Sequence, residues 1–211
     1  IRCCESAQSP VIARASSLDF GPVEREPCDR VHSEAPALPV ITILGIDPGS
    51  RITGYGVVRM DGARAVHIDS GCIKVAELDV PARLRAIYDA IAAVVAEHDP
   101  DHAAIEKIFM SRNPDSALKL GQARGTAIVA CAKLSLPVFE YSATQIKQAV
   151  VGRGHAGKQQ VQHMIKALLC LPESPAADAA DALATALCHG HTEYGLRGIK
   201  AAKTGRRGRP R

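Results

Sequence analysis

The chain has 211 residues and a formal net charge of +4, with 46% hydrophobic and 23% charged side chains. That balance belongs to a globular domain and excludes a wholly disordered chain; no run of about 18 apolar residues offers a helical membrane span. Aromatics are 3% with no Trp, which argues against a single-strand binder built on many stacking platforms and leaves the core to Val, Ile, Leu and Ala.

Residues 1–40 hold five of the thirteen prolines and a net charge of −2. They show no sustained period of 2 or 3.6 and no apolar leader, so they are read as a disordered extension without a targeting signal. The folded domain is expected over 41–194. Ile41 to Asp47 is an apolar run closed by an acid and the turn formers Pro48-Gly49-Ser50, hence a buried strand. Thr53–Arg59 and Ala65–Asp69 read as the next two strands, turned at Asp61-Gly62, with Cys72–Ala76 as a weaker extension. Pro81–His98 is expected to be a helix, with Leu84, Ile87, Ile91 and Val94 at helical spacing and Pro81 in the first turn. Ala103–Ile108 is a strand, Asp115–Lys133 a helix and Pro137–Tyr141 a strand. Helices follow at Ala143–Val151, Lys158–Leu169 and Ala176–His189. Three strands followed by alternating helix and strand imply an α/β domain: a mixed five-stranded sheet, an antiparallel meander extended by parallel crossovers, with helices on both faces.

Charge is uneven. Residues 195–211 carry net +7 and read as a basic disordered tail. Between Lys107 and Lys166 stand nine basic residues and only two acids, Asp115 and Glu140, the pattern of either one positive face for a phosphate-rich partner or an ordinary solvated surface. The seven cysteines form no C-x-x-C pair, so reduced cytoplasmic thiols are expected rather than a disulfide framework. Cys188, His189 and His191 have no second ligand pair at zinc spacing and read as a frayed helix end. Gly152 to Lys158 matches G-x-x-x-x-G-K, but Gln159 stands where a P-loop has Ser or Thr, and the preceding segment is helical in pattern.

Four acids stand against an apolar background: Asp47 ends the first strand, Glu106 follows Ala-Ala-Ile, and Asp178 and Asp181 lie on one face of the last helix at i and i+3. Each alone has a plainer role open to it, as turn former, strand-end charge or helix cap. Jointly they lack basic partners, since Lys107 points to the opposite face of its strand from Glu106, and carboxylates are rarely buried unless paired, protonated or bound to metal. Their combined charge of about −4 would be offset by two divalent cations, and an all-oxygen set favours Mg²⁺ or Mn²⁺ over zinc. Two such ions roughly 3.5–4 Å apart activate a water and stabilise the leaving oxygen in phosphodiester cleavage.

Several long passages occur in one order: Leu44-Gly-Ile-Asp-Pro-Gly-Ser-Arg-Ile-Thr-Gly-Tyr-Gly-Val-Val58, Ala104-Ile-Glu-Lys-Ile-Phe-Met110, Asn113 to Gly125, Pro137-Val-Phe-Glu-Tyr141, Gln145-Ile-Lys-Gln148 and Ala177-Asp-Ala-Ala-Asp-Ala-Leu-Ala184. Together they resemble the RuvC family of bacterial Holliday-junction resolvases, in the ribonuclease-H-like superfamily, over about Ile43 to His191. The resemblance implies that Asp47, Glu106, Asp178 and Asp181 are the catalytic, metal-binding acids and that Mg²⁺ is required; Asp47, central at the end of the first strand, is expected to bridge two such ions. It implies a homodimer that cuts two strands of a four-way junction symmetrically, leaving 5′-phosphate ends, in recombination and repair, beside the RuvA–RuvB branch-migration machine. Phe109 is read as a wedge against an unpaired base or, on residue type alone, a core plug. Lys147 and Lys158 match basic residues near the scissile phosphate, and Arg112 and Lys119 are expected as further DNA contacts. The rival readings are a related nuclease for damaged RNA or R-loops, an actin-like ATP-binding protein suggested by Asp47-Pro-Gly-Ser50, and a DNA-binding module with a dead site.

Overall fold

A computed structural model describes residues 39–108 and 114–205. Strands β1 (Ile41–Asp47), β2 (Ile52–Asp61) and β3 (Arg64–Lys74) form the meander; α1 (Val80–His98), β4 (His102–Glu106), α2 (Pro114–Lys133) and β5 (Val138–Tyr141) alternate; α3 (Ala143–Val151), α4 (Lys158–Leu168) and α5 (Ala177–Gly205) follow. The sheet order is β3-β2-β1-β4-β5. β1 pairs antiparallel with β2 and parallel with β4, and β4 pairs parallel with β5. The mixed five-stranded sheet is therefore as expected, and its helices lie on both faces. Among the described residues no helix is long and apolar enough to cross a membrane.

Strand alternation sends alternate side chains to the two faces. On one, Leu44, Ile46, Ala103 and Ile105 pack with Ile87 and Ile91 of α1 and Ala123 and Ala127 of α2. On the other, Ile43 and Ala104 pack with Leu183 and Leu187 of α5, Ile146 of α3 and Ile165 of α4. Helix starts follow their caps: Asp79 Oδ1 accepts from the Ala82 amide at 2.9 Å ahead of α1, and Ser142 and Gln145 cap α3 reciprocally.

The strand expected at 65–69 and its weaker extension at 72–76 form one strand, β3, which ends at Lys74 and bulges opposite Val57/Val58. Asp69 accepts from the Tyr55 hydroxyl and the Ser70 amide, and Gly71 lies under the Tyr55 ring, where a Cβ would stand 2.7 Å from Cε1. One expectation needed revision. The last helix does not fray at His189 but runs on to Gly205, into the segment read as a basic tail. As expected, the G-x-x-x-x-G-K stretch has no strand before it: Gly152 caps the C-terminus of α3 in a left-handed conformation, and the stretch joins two helices.

His189 is fully buried. Its Nδ1 lies 2.7 Å from the Tyr141 hydroxyl, its Nε2 2.8 Å from His102 Nδ1, and its ring stacks on Phe139 at 4.4 Å. Both ring nitrogens are thus engaged, which removes His189 as a zinc ligand beside Cys188. Burial, then His102, lowers its pKa to about 4. Between pH 6.5 and about 4 the unfolded chain takes up a proton that the native chain refuses, so this group costs stability as pH falls through that window. We expect the urea midpoint of the wild type to lose more over pH 6.5 to 4.5 than that of His189→Gln; parallel curves would refute the assignment. Asp47, described below, acts in the opposite direction but is common to both chains.

Candidate active site

Asp47 shares the face of Ile43 and Gly45 on β1, and Glu106 that of Ala104 on β4, both toward α5. The parallel register, with Ile46 beside Ile105, brings Asp47 and Glu106 level at the carboxyl ends of adjacent strands, where α/β sheets place their sites.

What seats α5 against them is a row of missing side chains. Asp47 pairs with Gly54 on β2, and Gly45 with Gly56. A Cβ on Gly54 would collide with the Asp178 carbonyl, and one on Gly45 with the Ala182 carbonyl and, at 2.7 Å, the Ala186 amide. The helix answers with alanine: Ala179, Ala180, Ala182 and Ala186 are all buried. Backbone-to-backbone approach of α5 therefore carries Asp178 and Asp181 to the end of β1.

A cleft of about 260 Å³ is lined by Asp47, Glu106, Asp181, Lys147 and Lys158, with Ile146 and Val161 among its apolar wall. Asp178 is not in the lining, but its charge acts on both Asp47 and Asp181. Burial raises the Asp47 pKa to about 8, helped by Asp181, Glu106 and Asp178 and opposed by Lys158. Glu106 is raised by burial and then Asp181, against Lys147 and Lys158; Asp181 is raised by burial, against Lys158. Lys158 Nζ lies 3.5 Å from Asp181 Oδ2. With all four acids ionised, two lysines leave a local excess of negative charge.

That donor set, four carboxyls without sulfur or imidazole, fits a hard divalent cation. Three of them line the cleft without converging on one point: among the described residues no three His, Cys, Asp or Glu groups stand close enough to hold an ion as placed.

Of the expected DNA contacts, Lys147 and Lys158 are brought to the cleft. Lys119 is not in its lining; it lies on α2, with Nζ 2.7 Å from Asp115 Oδ2 one turn away. Phe109 and Arg112 lie outside the described residues. Sequence reasoning missed two neighbours. Lys107, dismissed as facing away, lines an adjoining hollow with Asp47, Pro48, Glu106 and Leu120. Arg124 donates from Nε to the Glu106 carbonyl at 3.2 Å. Its one signal in the sequence was its place in the Asn113–Gly125 passage.

The sequence profile of the family described as "Crossover junction endodeoxyribonuclease RuvC" matches residues 43–189. The chain belongs to the RuvC family. Among curated RuvC proteins it is 56% identical over 164 residues to that of Shewanella baltica strain OS155, covering 78% of this chain and 95% of the relative. It is 61% identical over 154 residues to that of Pseudoalteromonas translucida, covering 73% and 88%. Among solved structures, "T. thermophilus RuvC in complex with Holliday junction substrate" matches with TM-score 0.69 and 34% identity over 74% of this chain and 96% of that one. The yeast mitochondrial resolvase Ydc2, at 11% identity and TM-score 0.54, shares the fold, over 81% of this chain and 89% of that one. All four acids fall within the stretch matched to the RuvC profile.

Proposed function

We propose that this RuvC-family chain is a divalent-metal-dependent endonuclease that resolves four-way DNA junctions in recombination and repair, with residues 41–194 as its nuclease domain. The observation that carries the reading is the cleft itself: Asp47, Glu106 and Asp181 line it, Asp178 lies within their electrostatic reach, and Lys147 and Lys158 form part of its wall. Asp47, Glu106, Asp178 and Asp181 would hold two Mg²⁺, or Mn²⁺, per site; when bound, such ions supply Lewis acidity for the attacking water and the leaving oxygen. The chain's own part is positional and electrostatic. Asp47 stands between Glu106 and the α5 acids, so all the carboxylates act on one phosphodiester. Lys158, whose side chain is 73% exposed, can turn from Asp181 to a phosphate oxygen, and Lys147 shares the same wall. Both offset the charge that grows on the phosphorus oxygens. Breaking the P–O3′ bond leaves 5′-phosphate and 3′-hydroxyl ends. Phe109, Arg112 and Lys119 are assigned to the DNA, Phe109 beside an unpaired base.

The deciding experiment is a cleavage panel of four-way junction, flap, RNA–DNA hybrid and linear duplex, with and without Mg²⁺. Paired symmetric nicks in the junction alone, only with Mg²⁺, are expected. Preferred cutting of the hybrid would transfer the chain to another nuclease activity.

Two active sites for two strands require two copies. The face of α2 supports this: Leu118 is 64% and Val129 57% exposed. Between them Gly121 and Gly125 have nothing among the described residues within 4 Å of an added Cβ, so packing among those residues does not explain their small size. Close approach of a second α2 does. Leu118→Glu is expected to shift sedimentation from dimer to monomer and abolish paired nicking; an unchanged dimer would remove α2 from the interface. The junction substrate and the free Cys72, Cys131, Cys170 and Cys188 thiols support a cytoplasmic setting, working beside the RuvA–RuvB complex. Copurification of the wild type with RuvA–RuvB on junction DNA tests that partnership.

A further inference from the structure

Arg124 joins three elements. From α2 its Nε donates to the Glu106 carbonyl at 3.2 Å, and its Nη2 donates to Glu140 Oε1 on β5 at 2.5 Å. Its side chain is only 20% exposed, against 43% for Glu140. Glu106 is the last residue of β4, where ladder support ends. One residue further on, the Lys107 amide donates to the Tyr141 carbonyl at 2.7 Å. The Glu106 main chain is thus held from β5 by the ladder and from α2 by the guanidinium. On α2, Arg124 immediately precedes Gly125 and follows Gly121 by three residues, the two glycines that leave open space among the described residues.

We propose that Arg124 is a positioning residue for cleavage: its fork clamps the Glu106 carbonyl against β5 and thereby sets where the Glu106 carboxyl stands in the cleft. The same clamp makes α2, the face assigned to the second copy, mechanically continuous with the site. A guanidinium suits this because its planar, fixed donors reach two acceptors at once, which a compact ammonium cannot do from the same stem. Loss of the clamp leaves Glu140 partly solvated, so the cost falls on the placement of Glu106 more than on the fold. This inference rests on the assignment of Glu106 to the active site.

The test compares Arg124→Met, Arg124→Lys, Glu140→Gln and Glu106→Gln in the full chain. For Arg124→Met, single-turnover junction cleavage at saturating enzyme should fall about 10- to 100-fold, the scale of an ångström-sized misplacement. Junction affinity without cutting should stay within about twofold, as expected when no phosphate contact is lost. Calorimetric titration with Mn²⁺ alone should show weaker binding by about tenfold, the scale of losing a support for a metal-holding side chain. Arg124→Lys should recover part of both losses. Glu140→Gln, whose amide oxygen still accepts, should cost less than Arg124→Met. Wild-type cleavage and Mn²⁺ binding in Arg124→Met, with Glu106→Gln inactive, would overturn the clamp while sparing the site. Wild-type cleavage in Glu106→Gln would instead overturn the site assignment. A fall in junction affinity equal to the fall in rate would make Arg124 a DNA contact and overturn the proposal. If Arg124→Met does not fold, Arg124→Lys and Glu140→Gln decide: rates and Mn²⁺ binding both reduced at unchanged junction affinity support the clamp, and wild-type values refute it.

Discussion

Asp47→Asn is expected to lower junction cleavage by about 10³-fold or more, on the scale of losing a preorganised charge partner of the transition state, while leaving junction affinity intact. The carboxyl is the central one. Burial and three neighbouring acids raise its pKa to about 8, so in the chain alone the ionised form is disfavoured. Asparagine keeps the shape and removes the charge. The variant should therefore be at least as stable as the wild type at pH 8 without divalent ions. The sign follows from linkage: a carboxyl whose native pKa lies above its unfolded value of 3.8 favours the fold below that value and loses the contribution as pH rises through about 8. Addition of Mg²⁺ should raise the melting temperature of the wild type and much less that of Asp47→Asn. Gel-shift affinity, cleavage rate and thermal melting with and without Mg²⁺ check the three parts separately. A variant that still cut synthetic junctions at the wild-type rate would dissolve the site assignment.

Gly45→Ala is expected to destabilise the chain by about 3 kcal/mol or to prevent folding, the upper range for overpacking a core. A methyl there meets the Ala182 carbonyl, the Ala186 amide at 2.7 Å and the Ala186 methyl at 2.9 Å. None of these is the far end of a flexible side chain, so α5 itself must lift. Because α5 carries Asp178 and Asp181, whatever folds should also cut poorly. The informative control is the same substitution at Gly121. There an added Cβ meets nothing among the described residues, and alanine is the better helix former by up to about 1 kcal/mol, so Gly121→Ala should hold or raise monomer stability. Its cost should appear instead in dimerisation. Urea unfolding reads the first effect and sedimentation the second; equal destabilisation at both positions would mean that the glycine row does not govern how α5 seats.

The strands, the helices and the four acids were legible in the sequence because each leaves a local signature. Ile41–Asp47 is an apolar run that stops at a charge, and α3 spans Ala143–Val151 as expected, its start marked by the Ser142–Gln145 cap. The acids were conspicuous because no basic residue was interleaved with them. Local signatures also misled. Lys107 was set aside by strand alternation, but it follows Glu106 at the strand's end and lines a hollow that Asp47 and Glu106 also border.

By itself the sequence determined the order of elements, the mixed sheet and the family, and singled out the four carboxylates as candidates, because periodicity and residue chemistry are properties of neighbours along the chain. Only the tertiary structure decided that Asp47, Glu106 and Asp181 share a cleft, that Gly45 and Gly54 are the reason α5 can approach, that His189 is locked between His102 and Tyr141, and that Arg124 holds the Glu106 carbonyl. Each of these joins residues 18 to 141 positions apart. Contacts at such separations depend on steric fit and pairing in three dimensions, for which a single chain of letters carries no local mark.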